Sequence, residues 1–257
     1  MEIAQLAAEG AGKRLMKLFR GKLSVERKYD YPGSIVTNAD HEAENLILAK
    51  IRKSGIKCSV ECEETGKLDF GSPDIVWAVD PLDGTLNYSK RIPYFAVSIG
   101  VLKARKTILG VIYNPVLDEM YTAVRGLGAR VNGKRIHVSN TPSLTDSSLI
   151  FDWWDTEPSI PDPLGLVRRI YAYTRTLRSP GSVALNLCAV AAGRFDGLVT
   201  VYPKAPIFET AAGCLIAEEA GAKVTNSMNQ SWEDFSQSVI AGGDSIHSKL
   251  MELIRQG

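Results

Sequence analysis

Histidine is almost missing from this chain. The three residues present, His41, His137 and His247, lie so far apart that neither a zinc cluster nor an imidazole base suggests itself. Cysteine is scarce as well. Cys58, Cys62, Cys188 and Cys214 make no C-x-x-C pair. The expectation is reduced, mostly buried thiols in a cytoplasmic protein, with Cys58 and Cys62 on one face of a strand. No charge sign dominates: 30 Lys and Arg stand against 29 Asp and Glu. A nucleic-acid footprint is therefore lacking, and the short basic run Lys103-Ala104-Arg105-Lys106 reads as a solvated hairpin turn. No stretch resembles a membrane span or a leader. Residues 1–20 intersperse charges among Ile3, Leu6, Ala7, Leu15, Leu18 and Phe19, which predicts an amphipathic helix. Within it, Gly10-Ala11-Gly12-Lys13 lacks the preceding strand and the spacing of a phosphate loop. The expected partner is a small molecule rather than nucleic acid or membrane.

What is present is a full core. Of 257 residues, 45% are hydrophobic, enough for one large domain or two close-packed lobes. The lobes would divide near residue 145, into 1–145 and 146–257. Ser34 to Thr37 reads as a short strand, and Asp40 as the N-cap of a helix with Ala43, Leu46, Ile47 and Ile51 inward and Gly55 as its stop. Cys58 to Glu63 reads as a strand. From Tyr94 to Val138 the pattern is an antiparallel meander: 94–102, 106–113, 119–124 and 134–138, punctuated by Asn114-Pro115 and Asn132-Gly133. The second half alternates. Strands are expected at 148–152, 196–201 and up to Gly242, helices at 163–174, 181–193, 207–221 and from Asp244 to Arg255. Such a chain is mixed α/β, of α+β type, with two sheets interleaved with helix layers.

The richest stretch is Asp80-Pro81-Leu82-Asp83-Gly84-Thr85, which follows the apolar run Ile75-Val76-Trp77-Ala78-Val79. It places two carboxylates three residues apart where a buried strand emerges. Carboxylates gathered at a strand end hold hard cations through oxygen, and the Gly-Thr step offers backbone N–H groups to a phosphate. Other carboxylates also border apolar runs: Asp40, Glu63 and Glu209. Asp80 and Asp83 could serve two adjacent metals with Asp80 bridging, Glu63 completing one and Glu209 the other, the arrangement that activates a water and clamps a leaving oxygen. An Asp-Gly turn with an aspartate cap is the plain alternative. Trp153-Trp154, between Asp152 and Asp155, reads as a half-buried turn or as a wall beside a substrate.

The chain resembles the inositol monophosphatase family, whose relatives include the archaeal-type fructose-1,6-bisphosphatases. The resemblance rests on Trp77-Ala78-Val79-Asp80-Pro81-Leu82-Asp83-Gly84-Thr85-Leu86-Asn87-Tyr88 and the following Ile92-Pro93-Tyr94-Phe95-Ala96-Val97-Ser98-Ile99-Gly100. Val36-Thr37-Asn38-Ala39-Asp40, Glu63-Glu64, Gly181-Ser182-Val183-Ala184-Leu185-Asn186 and Ala211-Ala212-Gly213 follow in family order. It implies a layered αβαβα sandwich of the sugar phosphatase type, usually a homodimer. It also implies two or three Mg²⁺ ions held by Glu63, Asp80, Asp83, the Leu82 carbonyl and Glu209. Thr85 with Asp40 would position the attacking water. The backbone at Gly84 and Thr85 would hold the phosphate, with Asp83, Gly181, Ser182, Val183 and Tyr202 around the substrate. The implied reaction is direct hydrolysis of a phosphate monoester such as inositol 1-phosphate or fructose 1,6-bisphosphate.

Three positions depart from the pattern. Glu209 stands where the family carries aspartate, Tyr202 where a glutamate contacts inositol, and Ser34 where aspartate is common. Rival functions fit the same residues: a 3′-phosphoadenosine-type nucleotide phosphatase, or a metal- and phosphate-binding relative that Glu209 has impaired. An aspartyl-phosphate phosphatase would space its aspartates by two rather than three.

Overall fold

The computed structural model describes residues 1–28, 35–72, 74–153, 160, 162–201, 206–235 and 238–256. In chain order the elements are α1 (Glu2–Phe19), β1 (Val25–Arg27), β2 (Ile35–Thr37), α2 (Asn38–Lys53), β3 (Ser59–Cys62), β4 (Gly66–Asp69), β5 (Ile75–Asp83) and α3 (Thr85–Ser89). Then follow β6 (Ala96–Lys103), β7 (Lys106–Asn114), β8 (Glu119–Val124), β9 (Ala129–Val131), β10 (Lys134–Arg135), β11 (Ser148–Trp153), α4 (Pro163–Tyr173) and β12 (Thr176–Arg178). The chain closes with α5 (Val183–Ala191), β13 (Gly197–Val201), α6 (Ile207–Glu219), β14 (Lys223–Thr225), β15 (Ile240–Gly242) and α7 (Asp244–Arg255).

Two main sheets carry the fold. The first has eight strands in the order β10-β9-β8-β7-β6-β5-β3-β4, and the second five, β12-β11-β13-β15-β14. The first is antiparallel except where β3 runs parallel to β5. In the second, β11 is parallel to both β12 and β13. Alternation along β5 shows how the first sheet is covered twice. Trp77 and Val79 join a core built with α1 and α2, whereas Ala78 joins the core of α5 and α6. The other face of the second sheet packs on α4 and α7 through Leu149, Phe151, Leu166, Ile170, Leu250 and Met251. The layers are thus helix, sheet, helix, sheet, helix, the mixed α+β sandwich expected.

Local readings hold in outline and fail in detail. The basic run is indeed a hairpin turn, with Ala104 and Arg105 both left-handed (φ 48° and 65°). Gly10 to Lys13 lies inside α1. That helix buries Ala4, Ala7, Ala8, Ala11, Gly12 and Leu15, while Leu6 stays exposed. Its inner face is a stripe of small residues that allows close approach: a Cβ on Gly12 would meet the Tyr113 ring at 2.5 Å. The cap of α2 also needs correction. Thr37 is the N-cap and Asp40 the third helical residue, the two side chains closing a capping box. Leu46 is exposed; Ala39, Ala43, Ile47, Leu48 and Ile51 form the inner face. Asp244 begins α7 behind the cap Gly243. The strand expected at 134–138 stops at Arg135, because Val138 donates its N–H to the Ala220 carbonyl beyond α6 instead.

Candidate active site

Asp80 does not lie past the end of its strand. β5 runs on through Asp83, with a register shift between Asp80, opposite Ser98, and Asp83, opposite Ala96. Pro81 has no N–H to give the ladder, so the strand bulges there. The Asp80 Oδ1 accepts the Leu82 N–H at 2.9 Å inside the bulge. Gly84 then turns the chain with φ 93°, and a Cβ there would stand 2.9 Å from the Tyr94 carbonyl oxygen. Only glycine fits that turn. It opens α3, a helix of five residues. So short a helix sums little dipole, and any hold on a phosphate there must come from individual N–H groups.

The predicted carboxylates do converge. Asp80 is buried, and its pKa is pushed well up by that burial and then by Glu63, Asp83 and Glu209. Glu209, in the first turn of α6, is likewise raised by burial and by Glu63 and Asp83. Asp83 is raised to about 7, burial prevailing over the Ser182 hydroxyl and Ala184 N–H that favour its charge. Glu63 joins them because β3 lies in register beside β5, its N–H donating to the Val79 carbonyl at 3.1 Å. α6 can bring Glu209 in because it lies on glycines: a Cβ on Gly110 would stand 2.7 Å from the Ala212 oxygen. Ser98 fixes the approach by donating its hydroxyl to the Phe208 carbonyl at 3.1 Å.

Asp40 and Thr85 form a second unit. Thr85 Oγ1 lies 3.0 Å from Asp40 Oδ1 and 2.9 Å from the Leu82 carbonyl oxygen, so its single proton can serve either acceptor. The other oxygen of Asp40 accepts the Thr37 N–H at 2.8 Å and the Thr37 hydroxyl at 2.6 Å. Burial raises Asp40 to about 6 against those bonds. One oxygen of Asp40 thus serves the cap of α2 and the other faces the Thr85 hydroxyl.

The Gly181-Ser182-Val183 segment is turned toward Asp83. Ser182 donates its hydroxyl to Asp83 Oδ2, and Ala184 donates its N–H to the same atom at 2.8 Å. The N-terminus of α5 is thereby committed to Asp83. Val183 is buried in the core between the sheets. Gly181 is left-handed (φ 82°), and its carbonyl accepts the Asn87 amide at 3.1 Å. Tyr202, Ser34, Trp154 and Asp155 lie outside the described residues; Trp153 is 41% exposed at the end of β11.

Two groups went unread in the sequence. Lys28 Nζ donates to Glu63 Oε1 at 2.9 Å and to Glu64 Oε1 at 2.8 Å. Burial opposes its charge, but the two glutamates outweigh burial and raise its pKa. Glu44 is buried behind the turn that carries Glu63. Neither adjoins an apolar run, which was the signal that marked the other carboxylates.

Among the described residues, no three carboxylate, imidazole or thiol groups already surround a point as ligands to one ion. Glu63 is engaged by Lys28, and one oxygen of Asp83 by Ser182 and Ala184. The donor set is all oxygen, with several buried carboxylates raising one another, and that chemistry suits a hard divalent cation.

This bulged strand end with its carboxylates and Asp-Thr pair has a match over the whole chain. The sequence profile of the inositol monophosphatase family covers residues 1–257. The chain belongs to the inositol monophosphatase family. A protein of Pasteurella multocida named Nus factor SuhB is 38% identical over 226 residues, 87% of this chain and 84% of its own. A fructose-1,6-bisphosphatase/inositol-1-monophosphatase of Aquifex aeolicus is 33% identical over 261 residues, covering 100% of this chain and 95% of its own. The crystal structure of the extragenic suppressor protein suhB from Bartonella henselae superposes with a TM-score of 0.92 at 34% identity, covering 100% of this chain and 98% of that one. Membership in the inositol monophosphatase family supports a phosphatase type of function and fixes no substrate. Among the described residues, no helix is long and apolar enough to cross a membrane.

Proposed function

We propose that this protein is a Mg²⁺-dependent phosphomonoesterase for a small sugar or polyol phosphate, acting as a homodimer in the cytoplasm. The observation that carries the reading is Asp80, buried beside three other carboxylates that each raise its pKa further. Such a cluster is costly unless a cation shares it. Glu63, Asp80, Asp83, the Leu82 carbonyl and Glu209 would hold two or three Mg²⁺ ions. When bound, the ions lower the pKa of a water and offset charge on the phosphate oxygens.

The chain's own residues do the rest. Thr85 and Asp40 orient the water and take its proton, through the Thr85 hydroxyl to the Asp40 carboxylate 3.0 Å away. Backbone N–H groups at Gly84 and Thr85 hold the phosphate. The water oxygen forms the new bond to phosphorus as the ester P–O bond breaks, the departing alkoxide takes a proton from a solvent water, and Asp40 returns its proton to solvent. No phosphoenzyme forms, since Asp80 acts as a ligand rather than a nucleophile. Inositol 1-phosphate and fructose 1,6-bisphosphate are the substrates of choice. Tyr202, in place of a glutamate, argues against inositol alone.

The test is phosphate release by the purified protein with Mg²⁺ from inositol 1-phosphate, fructose 1,6-bisphosphate and adenosine 3′,5′-bisphosphate. Release from one of the first two at ordinary enzyme rates is expected, with ¹⁸O from water found in the phosphate. ¹⁸O in an enzyme carboxylate would sink the direct-attack mechanism. Preferential release from the third would make it a nucleotide phosphatase. No release from any would favour a second reading, a metal and phosphate binder with impaired turnover. Glu209 in place of aspartate, and the Nus factor name carried by a close relative, speak for that second reading.

A further inference from the structure

Glu44 lies on α2 four residues after Asp40, a spacing that puts both on one face of the helix. It is buried, with 2% of its surface exposed, yet it takes no part in the chemistry described. All of its recorded bonds go to one place. Glu44 Oε2 accepts the Glu64 N–H at 3.0 Å, and Oε1 accepts the Thr65 N–H at 3.0 Å as well as the Thr65 hydroxyl. Glu64 and Thr65 follow Glu63 in the turn between β3 and β4, where Cys62 pairs with Gly66. Two successive backbone N–H groups aimed at one carboxylate form an anion nest, here filled by the protein's own side chain. A second hold on the turn comes from Lys28, which pairs with Glu63 and Glu64.

The turn does more than join two strands, because it begins with Glu63. That residue is fixed at its N–H to the Val79 carbonyl and is one of the charges that raise Asp80. Any slack in the turn therefore moves a carboxylate at the metal cluster. Thr65 itself is exposed, so the bond of its hydroxyl to a buried glutamate draws the turn inward and closes no core of its own. Through the same helix α2, Asp40 is set against Thr85. One helix thus holds the water-orienting carboxylate and, one turn later, the brace of the metal-bearing turn.

We infer that Glu44 is a positioning residue for the divalent cation: its carboxylate braces the Glu63–Thr65 turn so that Glu63 meets Asp80 at the metal site. The inference rests on the metal role proposed above for Glu63. Partners that orient a ligand from behind change metal affinity by about 10- to 100-fold when removed.

The test is Mg²⁺ binding to the full chain by titration calorimetry, with no substrate present, beside the melting temperature of the metal-stripped protein. Glu44→Gln should weaken Mg²⁺ binding by about tenfold. Thr65→Val, which deletes one hydroxyl on an exposed residue and should fold normally, should weaken it by about twofold, one of three bonds being lost. Saturating Mg²⁺ should restore most of kcat in both variants, with KM for the phosphate ester unchanged. A Glu44→Gln protein that melts lower but binds Mg²⁺ as wild type does would overturn the inference and leave a structural brace only. Should Glu44→Gln not fold, unchanged binding by Thr65→Val would overturn it. A wild-type protein that binds no Mg²⁺ would instead remove the reading on which it rests.

Discussion

Asp80 and Asp152 occupy similar places in different sheets, each buried near the end of a central strand, β5 or β11. Burial raises the pKa of both. Around Asp80 the neighbours add to that effect: Glu63, Asp83 and Glu209 all push it up. Around Asp152 they oppose it: the Ser179 hydroxyl, the Gly181 N–H and the Asn186 amide all favour the charged form. Ser179 donates at 2.8 Å, and Asn186, itself an acceptor for Tyr94 at 2.8 Å, donates its amide to the other oxygen. One aspartate has its needs met by the protein. The other sits in a cluster the protein alone leaves overcharged. Burial of a carboxylate is therefore a poor marker of function by itself. The sign of what surrounds it is the better one.

Asp80→Asn should break this comparison most visibly. It removes the proposed bridging ligand, and losing transition-state stabilisation of about 4 kcal/mol should cost about a thousandfold in kcat. A variant keeping more than about a tenth of wild-type phosphate release would refute the metal role of Asp80.

Asp152→Ala should do the reverse, lowering stability while sparing metal binding. It leaves the buried amide of Asn186, and the N–H of Gly181, without their acceptor, a cost of about 3 kcal/mol in urea denaturation. Its Mg²⁺ half-saturation should stay near that of wild type. A large shift in Mg²⁺ dependence with little loss of stability would mean that Asp152 belongs to the metal machinery, and the contrast would collapse.

Asp40 stands between these cases, and its titration sharpens the contrast. Its pKa, raised by burial from 3.8 to about 6, lies above the unfolded value. The folded state therefore binds that proton more tightly, and the stability it contributes is present below about pH 3.8 and lost as pH rises through about 6. In chelator-treated protein, urea stability should fall between those limits by about 3 kcal/mol more in wild type than in Asp40→Asn. Parallel curves for the two proteins would show that Asp40 does not carry the strained charge.

Legibility in the sequence followed the size of the signal. Long apolar runs gave β5 through β8, and helical spacing gave α2 and α4 to α7 within a few residues. β1, β4, β9, β12 and β14 went unread because each is three or four residues long and, unlike β2, β3 and β15, stands in a stretch read as polar or as a turn. At α2, Thr37 and Asp40 are both sound caps, and only the backbone shows which one opens the helix. The site was legible where a carboxylate bordered an apolar run, as at Asp80, Asp83, Glu63 and Glu209. Lys28 was not, since it stands in a polar, turn-rich stretch, and Glu44 was not, since a carboxylate within a helical pattern reads as its solvated side. The pairing of Ser182 with Asp83 spans 99 positions and depends on how α5 meets β5, which no local pattern encodes.

Glu209 gives the smallest effect and the finest test. The Cα of residue 209 is held by α6, which rests on Gly110 and is tied down by Ser98 at the neighbouring Phe208 carbonyl. The helix cannot easily shift to absorb a shorter side chain. Glu209→Asp must therefore draw the carboxylate back by about one C–C bond, roughly 1.5 Å. It also removes one rotor that must be frozen to bind an ion. If the family's aspartate geometry suits this site, apparent Mg²⁺ affinity should tighten by about threefold, with catalysis otherwise kept. If instead the cluster has adapted to the longer arm, Glu209→Asp should weaken Mg²⁺ binding by a similar factor, and the departure is a tuned feature. An unchanged Mg²⁺ titration would show that Glu209 is no ligand, and that its raised pKa marks only a glutamate buried beside other carboxylates.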